Sequence, residues 1–232
     1  MSDSIAGRLT QINERVAAAC ARAGRAAHEV TVLPVSKTFD APTIRLAVAA
    51  GLTRFGENKT QEIGRKAQEL ADLSLDWVLI GHLQTNKAKD AARLVSEVQS
   101  LDRLALATAL DRRLQTEGRA IDVLVQVKTS PEPSKFGLEP NELPLFLTQL
   151  AAFETLRVKG LMTLAVNSDD ASAVRRCFST LRVWRDRLQA EGHNELTRLS
   201  MGMSGDFELA IEEGSTEVRI GSAIFGYRDY GV

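Results

Sequence analysis

Lys37 is the side chain of this sequence best placed to act as a nucleophile, because it follows an apolar run, residues 30–36, that predicts a buried β-strand. A lysine amine has an ordinary pKa of about 10.4, so an apolar setting that favours its neutral form would activate it. An activated lysine amine condenses with aldehydes. The alternative interpretation is that Lys37 only ends a strand, with its charged tip in water.

A second strand-like segment, residues 217–220, ends in Gly221 and Ser222. Small residues at such a turn expose backbone N–H groups, and serine adds a hydroxyl, so the turn suits a phosphate group. A lysine amine and a phosphate-binding turn at the same end of a fold predict a cofactor that carries both an aldehyde and a phosphate. Pyridoxal 5′-phosphate (PLP) is the candidate that meets both conditions.

Residues 199–206 predict a strand end, a tight loop and the start of a helix over residues 205–213 with Ser204 as its N-cap. We expect Ser200, at the strand end, to donate its hydroxyl to phosphate oxygens together with Ser222. Ordinary turn chemistry explains either loop alone, but both loops on adjacent strands favour a phosphate site.

Arg219 lies two residues before Gly221, so both residues face the same side of an alternating strand. We expect that side to be the interior of the fold. Because arginine retains its proton, it would keep a neighbouring pyridine nitrogen unprotonated and weaken the ring as an electron sink. The alternative is a salt bridge from Arg219 to Glu217 or Glu57.

Asn58 and His82 follow two further strand-like segments, and we expect them to reach a cofactor ring from the rim of the site. Lys135 lies in a polar loop, residues 133–137, and either faces the site or is solvated. No second histidine or cysteine lies near His82 at a spacing typical of zinc sites, so we expect no metal.

The elements that must position these residues alternate between strand-like and helix-like patterns along the whole chain. An N-terminal helix, residues 4–23, precedes eight strand candidates: residues 30–36, 54–56, 77–81, 97–101, 121–127, 158–162, 197–200 and 217–220. Eight β/α units predict a (β/α)8 TIM barrel, whose active site lies at the carboxyl ends of the strands. An open doubly wound sheet is the rival, but no Gly-x-Gly-x-x-Gly pattern follows the first strand.

Composition excludes several classes of protein. The 232 residues carry 29 basic and 30 acidic side chains, a formal net charge of −1, which gives no general attraction to nucleic acid or to an anionic membrane. Cys20 and Cys177 are too few for a disulfide framework, and we expect both to be structural. No leader sequence or membrane span is apparent, so we expect a cytoplasmic monomer with one domain, residues 1–232.

Seven ordered motifs in this chain closely resemble the pyridoxal phosphate homeostasis proteins, the YggS-like and PROSC-like family. The resemblance runs from about residue 5 to 227, and the motifs are residues 34–38, 55–58, 80–87, 135–137, 160–163, 200–204 and 219–226. It implies a single barrel like the N-terminal domain of alanine racemase, the PLP-binding fold type III, with an extra N-terminal helix.

The resemblance also implies a role for each site residue. Lys37 would be the Schiff-base lysine, and Arg219 would face the pyridine nitrogen. The phosphate would be held by Ser200, Gly221 and Ser222, and the ring would be lined by Asn58, His82 and Met162. Ser222 replaces a threonine that is common in the family and keeps its hydroxyl, whereas Phe136 stands where relatives often have a small or polar residue.

The expected function is chosen from this resemblance. Alanine racemase needs a tyrosine base from a C-terminal domain, and we expect no such domain after residues 227–232. The expected function is therefore storage and delivery of PLP in intracellular PLP homeostasis, with PLP-dependent apo-enzymes as recipients and without catalysis. The alternatives are a PLP-dependent racemase or decarboxylase, and a barrel that binds another phosphorylated metabolite with Lys37 as a counter-ion.

Overall fold

Eight parallel β-strands alternate with helices in the computed structural model, which describes residues 4–132 and 135–226. The strands are β1 (Thr31–Pro34), β2 (Arg54–Glu57), β3 (Asp76–Leu79), β4 (Glu97–Leu101), β5 (Ile121–Gln126), β6 (Leu156–Met162), β7 (Arg198–Met203) and β8 (Glu217–Ile220). Each predicted strand is present, with its bounds shifted by a few residues at most. The predicted (β/α)8 barrel is confirmed.

The strands form one sheet in the order β1-β8-β7-β6-β5-β4-β3-β2. Its two edge strands meet through a parallel bridge between Val35 and Gly56, and the Ser36 N–H donates to the Gly56 carbonyl at 3.0 Å. This contact closes the barrel directly beside Lys37. Since all strands run in the same direction, their carboxyl ends lie at one mouth.

The helices surround this sheet and cover its apolar outer face. They are α1 (Ile5–Arg22), α2 (Ala41–Ala49), α3 (Thr60–Glu69), α4 (Ala88–Leu94), α5 (Leu104–Glu117), α6 (Leu143–Leu150), α7 (Ala171–Ala190), α8 (Phe207–Glu212) and α9 (Ser222–Phe225). The predicted extra N-terminal helix is α1, which begins where the Ser4 hydroxyl accepts from the Gly7 N–H at 3.1 Å. It pairs with α8 through Arg15 and Glu208 at 2.9 Å.

The start of α8 differs from the prediction, and Ser204 is not its N-cap. The helix begins at Phe207, two residues later than predicted, because Asp206 occupies the N-cap position and its Oδ1 accepts from the Met203 N–H at 2.6 Å. Ser204 and Gly205 are therefore left in a turn at the mouth. The short helix α9 was not predicted.

The lower half of the barrel interior holds a network of charges that we name the interior ion cluster: the buried Glu97 and Glu217 and the half-buried Arg54 and Arg198, bridged by Gln99. Arg54 donates to Glu217 at 2.7 Å and to Glu97 at 3.0 Å, and Arg198 donates to the same two carboxylates at 2.8 and 2.6 Å. The amide of Gln99 also donates to both carboxylates. Two guanidinium groups thus balance two carboxylates inside the barrel.

Both cysteines are buried and neither forms a disulfide, as the sequence predicts. Burial raises the pKa of the Cys20 thiol, which makes that thiol a poor nucleophile. None of the helices within residues 4–132 and 135–226 combines the length and the apolar character that crossing a membrane requires.

Candidate functional site

A cavity of about 480 Å³ opens at the carboxyl ends of the strands, where a barrel places its active site. It brings together most of the residues that the sequence singles out as a site, although they lie on five different strand ends. Its walls include Lys37, Asn58, His82, Lys135, Arg219, Gly221 and Ser222. The remaining walls are mainly apolar and include Val35, Ile80, Phe136, Leu164 and Met203.

Lys37 lies in a tight turn directly after β1. The turn is closed by a hydrogen bond from the Phe39 N–H to the Ser36 carbonyl at 3.1 Å. Thr38 has a φ of +72° and is the one non-glycine residue in the described part of the chain with a positive φ. This conformation is costly for a residue with a Cβ atom, so the backbone beside Lys37 is held by its surroundings.

Arg219 lies beneath the cavity and is 3% exposed. Its guanidinium donates to the Ser200 hydroxyl at 2.7 Å and to the Thr163 carbonyl at 2.8 Å. Neither of the carboxylates considered as salt-bridge partners bonds to it, since Glu217 bonds to the interior ion cluster and Glu57 bonds to Lys66 and Ser36.

The hydrogen bonds of Arg219 therefore go to neutral acceptors, and the charges of Glu217 and Asp206 act on it without direct contact. Burial lowers the pKa of this guanidinium to about 10, although the nearby charges of Glu217 and Asp206 oppose the shift. With a pKa near 10, the side chain remains protonated at neutral pH and can only donate hydrogen bonds. Where Arg219 borders the cavity, it suits an acceptor atom of a ligand.

Two predicted site residues lie elsewhere. Ser200 is fully buried below Arg219, and its hydroxyl donates to Gln99 Oε1 at 2.7 Å while accepting from Arg219. Met162 is 1% exposed and pairs with Ser200 across β6 and β7. Neither residue lines the cavity, so the structure gives no support to a phosphate contact from the Ser200 hydroxyl or a ring contact from Met162.

The wall near β7 and β8 has the features expected of a phosphate-binding turn, but the serine at its centre is Ser204. Gly202 has a φ of +97°, and a Cβ atom there would lie 2.6 Å from the Cβ of Ala210, so glycine is required where the chain turns. Ser204 and Gly205 then face Gly221 and Ser222 across one end of the cavity. A Cβ atom added at Gly205 would meet no atom within 4 Å, which shows that this end is open enough for a ligand group.

Two ring side chains lie at the rim on the opposite side of the cavity. The His82 imidazole stacks on Phe136, with ring centroids 3.9 Å apart, and its Nδ1 lies 3.5 Å from a carboxylate oxygen of Asp102. Gly81 permits this arrangement because a Cβ atom there would lie 2.3 Å from the Asn58 carbonyl oxygen. Phe136 is 55% exposed and covers one face of His82.

Lys135 lines the cavity and lies 3.7 Å from a carboxylate oxygen of Glu132, so it faces the site. Residues 133 and 134 of the same loop lie outside the described residues. No group of histidine, cysteine, aspartate and glutamate side chains suited to a metal ion occurs within residues 4–132 and 135–226. The cavity thus offers amines, a guanidinium, hydroxyls and backbone donors, which suit an anionic organic ligand.

Comparison with known proteins agrees with a cavity for an anionic organic ligand. Residues 8–229 match the family described as "Alanine racemase, N-terminal domain". The chain is similar to two proteins called "Pyridoxal phosphate homeostasis protein". The one from Aquifex aeolicus is 42% identical over 223 residues, which are 96% of this chain and 98% of that protein. The one from Pseudomonas aeruginosa is 41% identical over 228 residues, which are 98% and 97%.

Two solved structures also resemble this fold. The structure of PipY from Synechococcus elongatus with PLP bound has a TM-score of 0.84 and 37% identity, and the match covers 96% of this chain and all of that one. An alanine racemase of Clostridium difficile has a TM-score of 0.75 at 14% identity and is covered over 57% of its length. The second likeness concerns the fold alone.

Proposed function

This chain belongs to the family of pyridoxal phosphate homeostasis proteins, and on that premise we propose that its cavity binds PLP for storage and delivery. The observation that carries the proposal is one cavity of about 480 Å³ with Lys37 on one wall, Arg219 beneath it and the Ser204 and Ser222 turns at one end. These groups match the aldehyde, the ring nitrogen and the phosphate of a single cofactor. When bound, PLP supplies an aldehyde that condenses with an amine and releases one molecule of water.

Lys37 supplies that amine. The turn after β1 places it on the cavity wall beside Val35, and a hydrogen bond from the Phe39 N–H to the Ser36 carbonyl closes that turn. Lys135 also lines the cavity, but it lies in a polar loop and its amine is 3.7 Å from a carboxylate oxygen of Glu132. We therefore assign covalent attachment to Lys37 and leave Lys135 as a counter-charge.

Arg219 is proposed to face the pyridine nitrogen of the ring. Because its guanidinium only donates, the ring nitrogen opposite it must accept and stays unprotonated. An unprotonated ring withdraws electrons weakly, so the site retains the cofactor without promoting the carbanion chemistry of PLP enzymes. Asn58 and His82 are proposed to contact the ring from the rim.

Ser204 and Ser222 are proposed to bind the phosphate, with backbone N–H groups of Gly205 and Gly221. Replacing either serine by alanine removes one hydrogen bond to a charged group, which costs about 1.5–3 kcal/mol and raises the PLP dissociation constant roughly 10- to 100-fold. Equilibrium dialysis with PLP measures this change.

The matched control is Ser74→Ala, since Ser74 is exposed before β3 at the other end of the barrel. Ser200→Ala is expected to weaken binding less than Ser222→Ala, because the Ser200 hydroxyl contacts Arg219 and not the cavity. A larger effect of Ser200→Ala than of both turn variants would place the phosphate elsewhere.

The relatives are named for PLP homeostasis and not for a catalysed reaction, and this chain is accordingly not assigned an enzymatic activity. The described part of the chain contains no tyrosine that could serve as a second base, and Tyr227 and Tyr230 lie outside it. Incubation with amino acids, followed by chiral chromatography, tests the racemase alternative. Turnover that disappears in Lys37→Ala would contradict a carrier function.

Delivery is tested directly by mixing the PLP-loaded protein with a PLP-dependent apo-enzyme and following the recovery of that enzyme's activity. We propose that such apo-enzymes in the cytoplasm are the recipients, and that the chain acts as a monomeric single domain over residues 1–232. The family match over residues 8–229 and coverage of 98% of the Aquifex relative support the single domain. Recovery no faster than spontaneous release of PLP would argue for storage alone.

A further inference from the structure

A second set of buried charges adjoins the turn that carries Lys37. The side chain of Lys66, on α3, is fully buried, and its ammonium group donates to the Ser36 carbonyl at 2.7 Å, to Glu57 at 2.6 Å and to Glu62 at 2.7 Å. These contacts use all three N–H donors of the ammonium group. We name Lys66, Glu57 and Glu62 the turn cluster.

The turn cluster holds the backbone on both sides of Lys37. On one side, the Ser36 carbonyl accepts from Lys66, and the Ser36 hydroxyl donates to Glu57 at 2.6 Å. On the other side, the Thr38 N–H donates to Glu62 at 2.5 Å. Lys37 is therefore the residue between two fixed points, and both points depend on charges carried by β2 and α3.

Two features of this arrangement lower the stability of the fold, which would not be expected if the cluster served stability alone. Glu57 is fully buried, one of its carboxylate oxygens has no hydrogen-bond partner in the described part of the chain, and burial raises its pKa in spite of Lys66. Thr38 is held at a φ of +72°. Buried ion pairs contribute little net stability compared with well-packed apolar side chains, and strained backbone commonly accompanies a function.

We propose that Lys66, Glu57 and Glu62 are positioning residues, which orient the turn so that the Lys37 amine reaches the aldehyde of PLP. This inference rests on the proposed function and adds to it the residues that orient this lysine. The cluster acts through the Ser36 and Thr38 backbone and does not line the cavity. Its effect is therefore expected mainly on the covalent step, since the phosphate turns lie on the other side of the barrel closure, after β7 and β8.

Two variants test the proposal. Glu62→Ala removes the contact to Thr38 at a side chain that is 17% exposed, so the barrel is expected to fold. The double variant Glu57→Gln with Lys66→Met removes the contact to the Ser36 carbonyl and leaves Glu62, whose side chain is 17% exposed, as the one charge of the cluster. Arg65→Met is the matched control, because Arg65 lies on the same helix with 56% of its side chain exposed.

Each variant is made both in the unaltered chain and in the Lys37→Ala background. In the first, the bound PLP is removed and stopped-flow absorbance with added PLP then gives the rate of covalent attachment. In the second, equilibrium dialysis gives the non-covalent affinity. We expect attachment to be about 10- to 100-fold slower in both test variants, since small displacements of a reacting group have effects of this size. The affinity in the Lys37→Ala background is expected to change by less than about twofold for Glu62→Ala, because Glu62 does not line the cavity and the phosphate turns follow β7 and β8.

Unchanged attachment rates in both test variants would overturn the proposal. An equal loss of attachment rate and of non-covalent affinity would also overturn it, because it would indicate a general structural role. If the double variant does not fold, the attachment rate and affinity of Glu62→Ala alone test the proposal. Failure of the proposed function is a separate result, visible when the unaltered chain gains no mass after incubation with PLP and borohydride reduction.

Discussion

Lys37→Ala is expected to abolish covalent attachment of PLP while leaving the barrel folded. Lys37 is the amine that the turn after β1 places on the cavity wall, and alanine there provides no nitrogen with which an aldehyde can condense. The purified unaltered protein should absorb near the visible edge and gain the mass of the reduced cofactor after borohydride treatment. The variant should do neither, and its residual affinity for PLP should come only from the phosphate and ring contacts.

Lys135→Ala is the matched control for this prediction, because Lys135 lines the same cavity. It should retain both the absorbance and the mass gain after reduction. Peptide mapping of the reduced protein then locates the modified lysine. If attachment persists in Lys37→Ala and disappears in Lys135→Ala, Lys135 is the residue that attaches the cofactor. The basis of the proposed function would then be removed.

The positions of Lys37, Asn58 and Gly221 at the cavity could be predicted from sequence because strand ends are local features. An apolar run followed by a polar residue predicts where a strand ends, and the barrel rule then places every such end at one mouth. The barrel fold could be predicted from the order of eight strand and helix units along the chain, without knowing which distant residues are in contact.

Ser200 shows where that reasoning fails. Strand β7 continues to Met203, three residues beyond the predicted end, so Ser200 lies within the strand and its side chain faces the barrel interior. Ser204 takes the place at the cavity, because the Asp206 carboxylate holds the turn and delays the start of α8. The end of a strand is predicted from the alternation of apolar and polar side chains. Where the end is rich in glycine there are few side chains to show that alternation, so the predicted end can be wrong by several residues.

The interior ion cluster could not be predicted, because its charges come from four different strands. Arg54, Glu97, Arg198 and Glu217 each resemble a solvated charge next to a strand, and only the closure of the barrel brings them together. The cluster also reaches the site, since Gln99 accepts from Ser200, which accepts from Arg219. A continuous series of hydrogen bonds thus joins the lower barrel to the group beneath the cavity.

Glu217→Ala is expected to produce the largest loss of stability. Glu217 is 2% exposed and accepts from Arg54, Arg198 and Gln99. Its removal leaves two half-buried guanidinium groups with one carboxylate. Breaking a fully buried ion pair costs about 3–5 kcal/mol in the free energy of unfolding, and because water reaches part of both arginine side chains we expect about 2–4 kcal/mol here. Urea unfolding followed by circular dichroism measures the loss. Glu208→Ala, which breaks an exposed pair with Arg15, should cost no more than about 1 kcal/mol.

The difference between the unaltered protein and Glu217→Ala should also depend on pH in one direction. Burial alone would raise the pKa of Glu217, but Arg54, Arg198 and the Gln99 hydrogen bond lower it below its ordinary value. A carboxylate whose pKa is lowered by folding stabilises the protein fully above its unfolded pKa of about 4.3 and loses that contribution as the pH falls through its folded pKa. The two proteins should therefore differ most at neutral pH and converge in acid. A difference that grows on acidification would mean that Glu217 is protonated in the folded barrel, and the interior ion cluster would then carry an uncompensated positive charge.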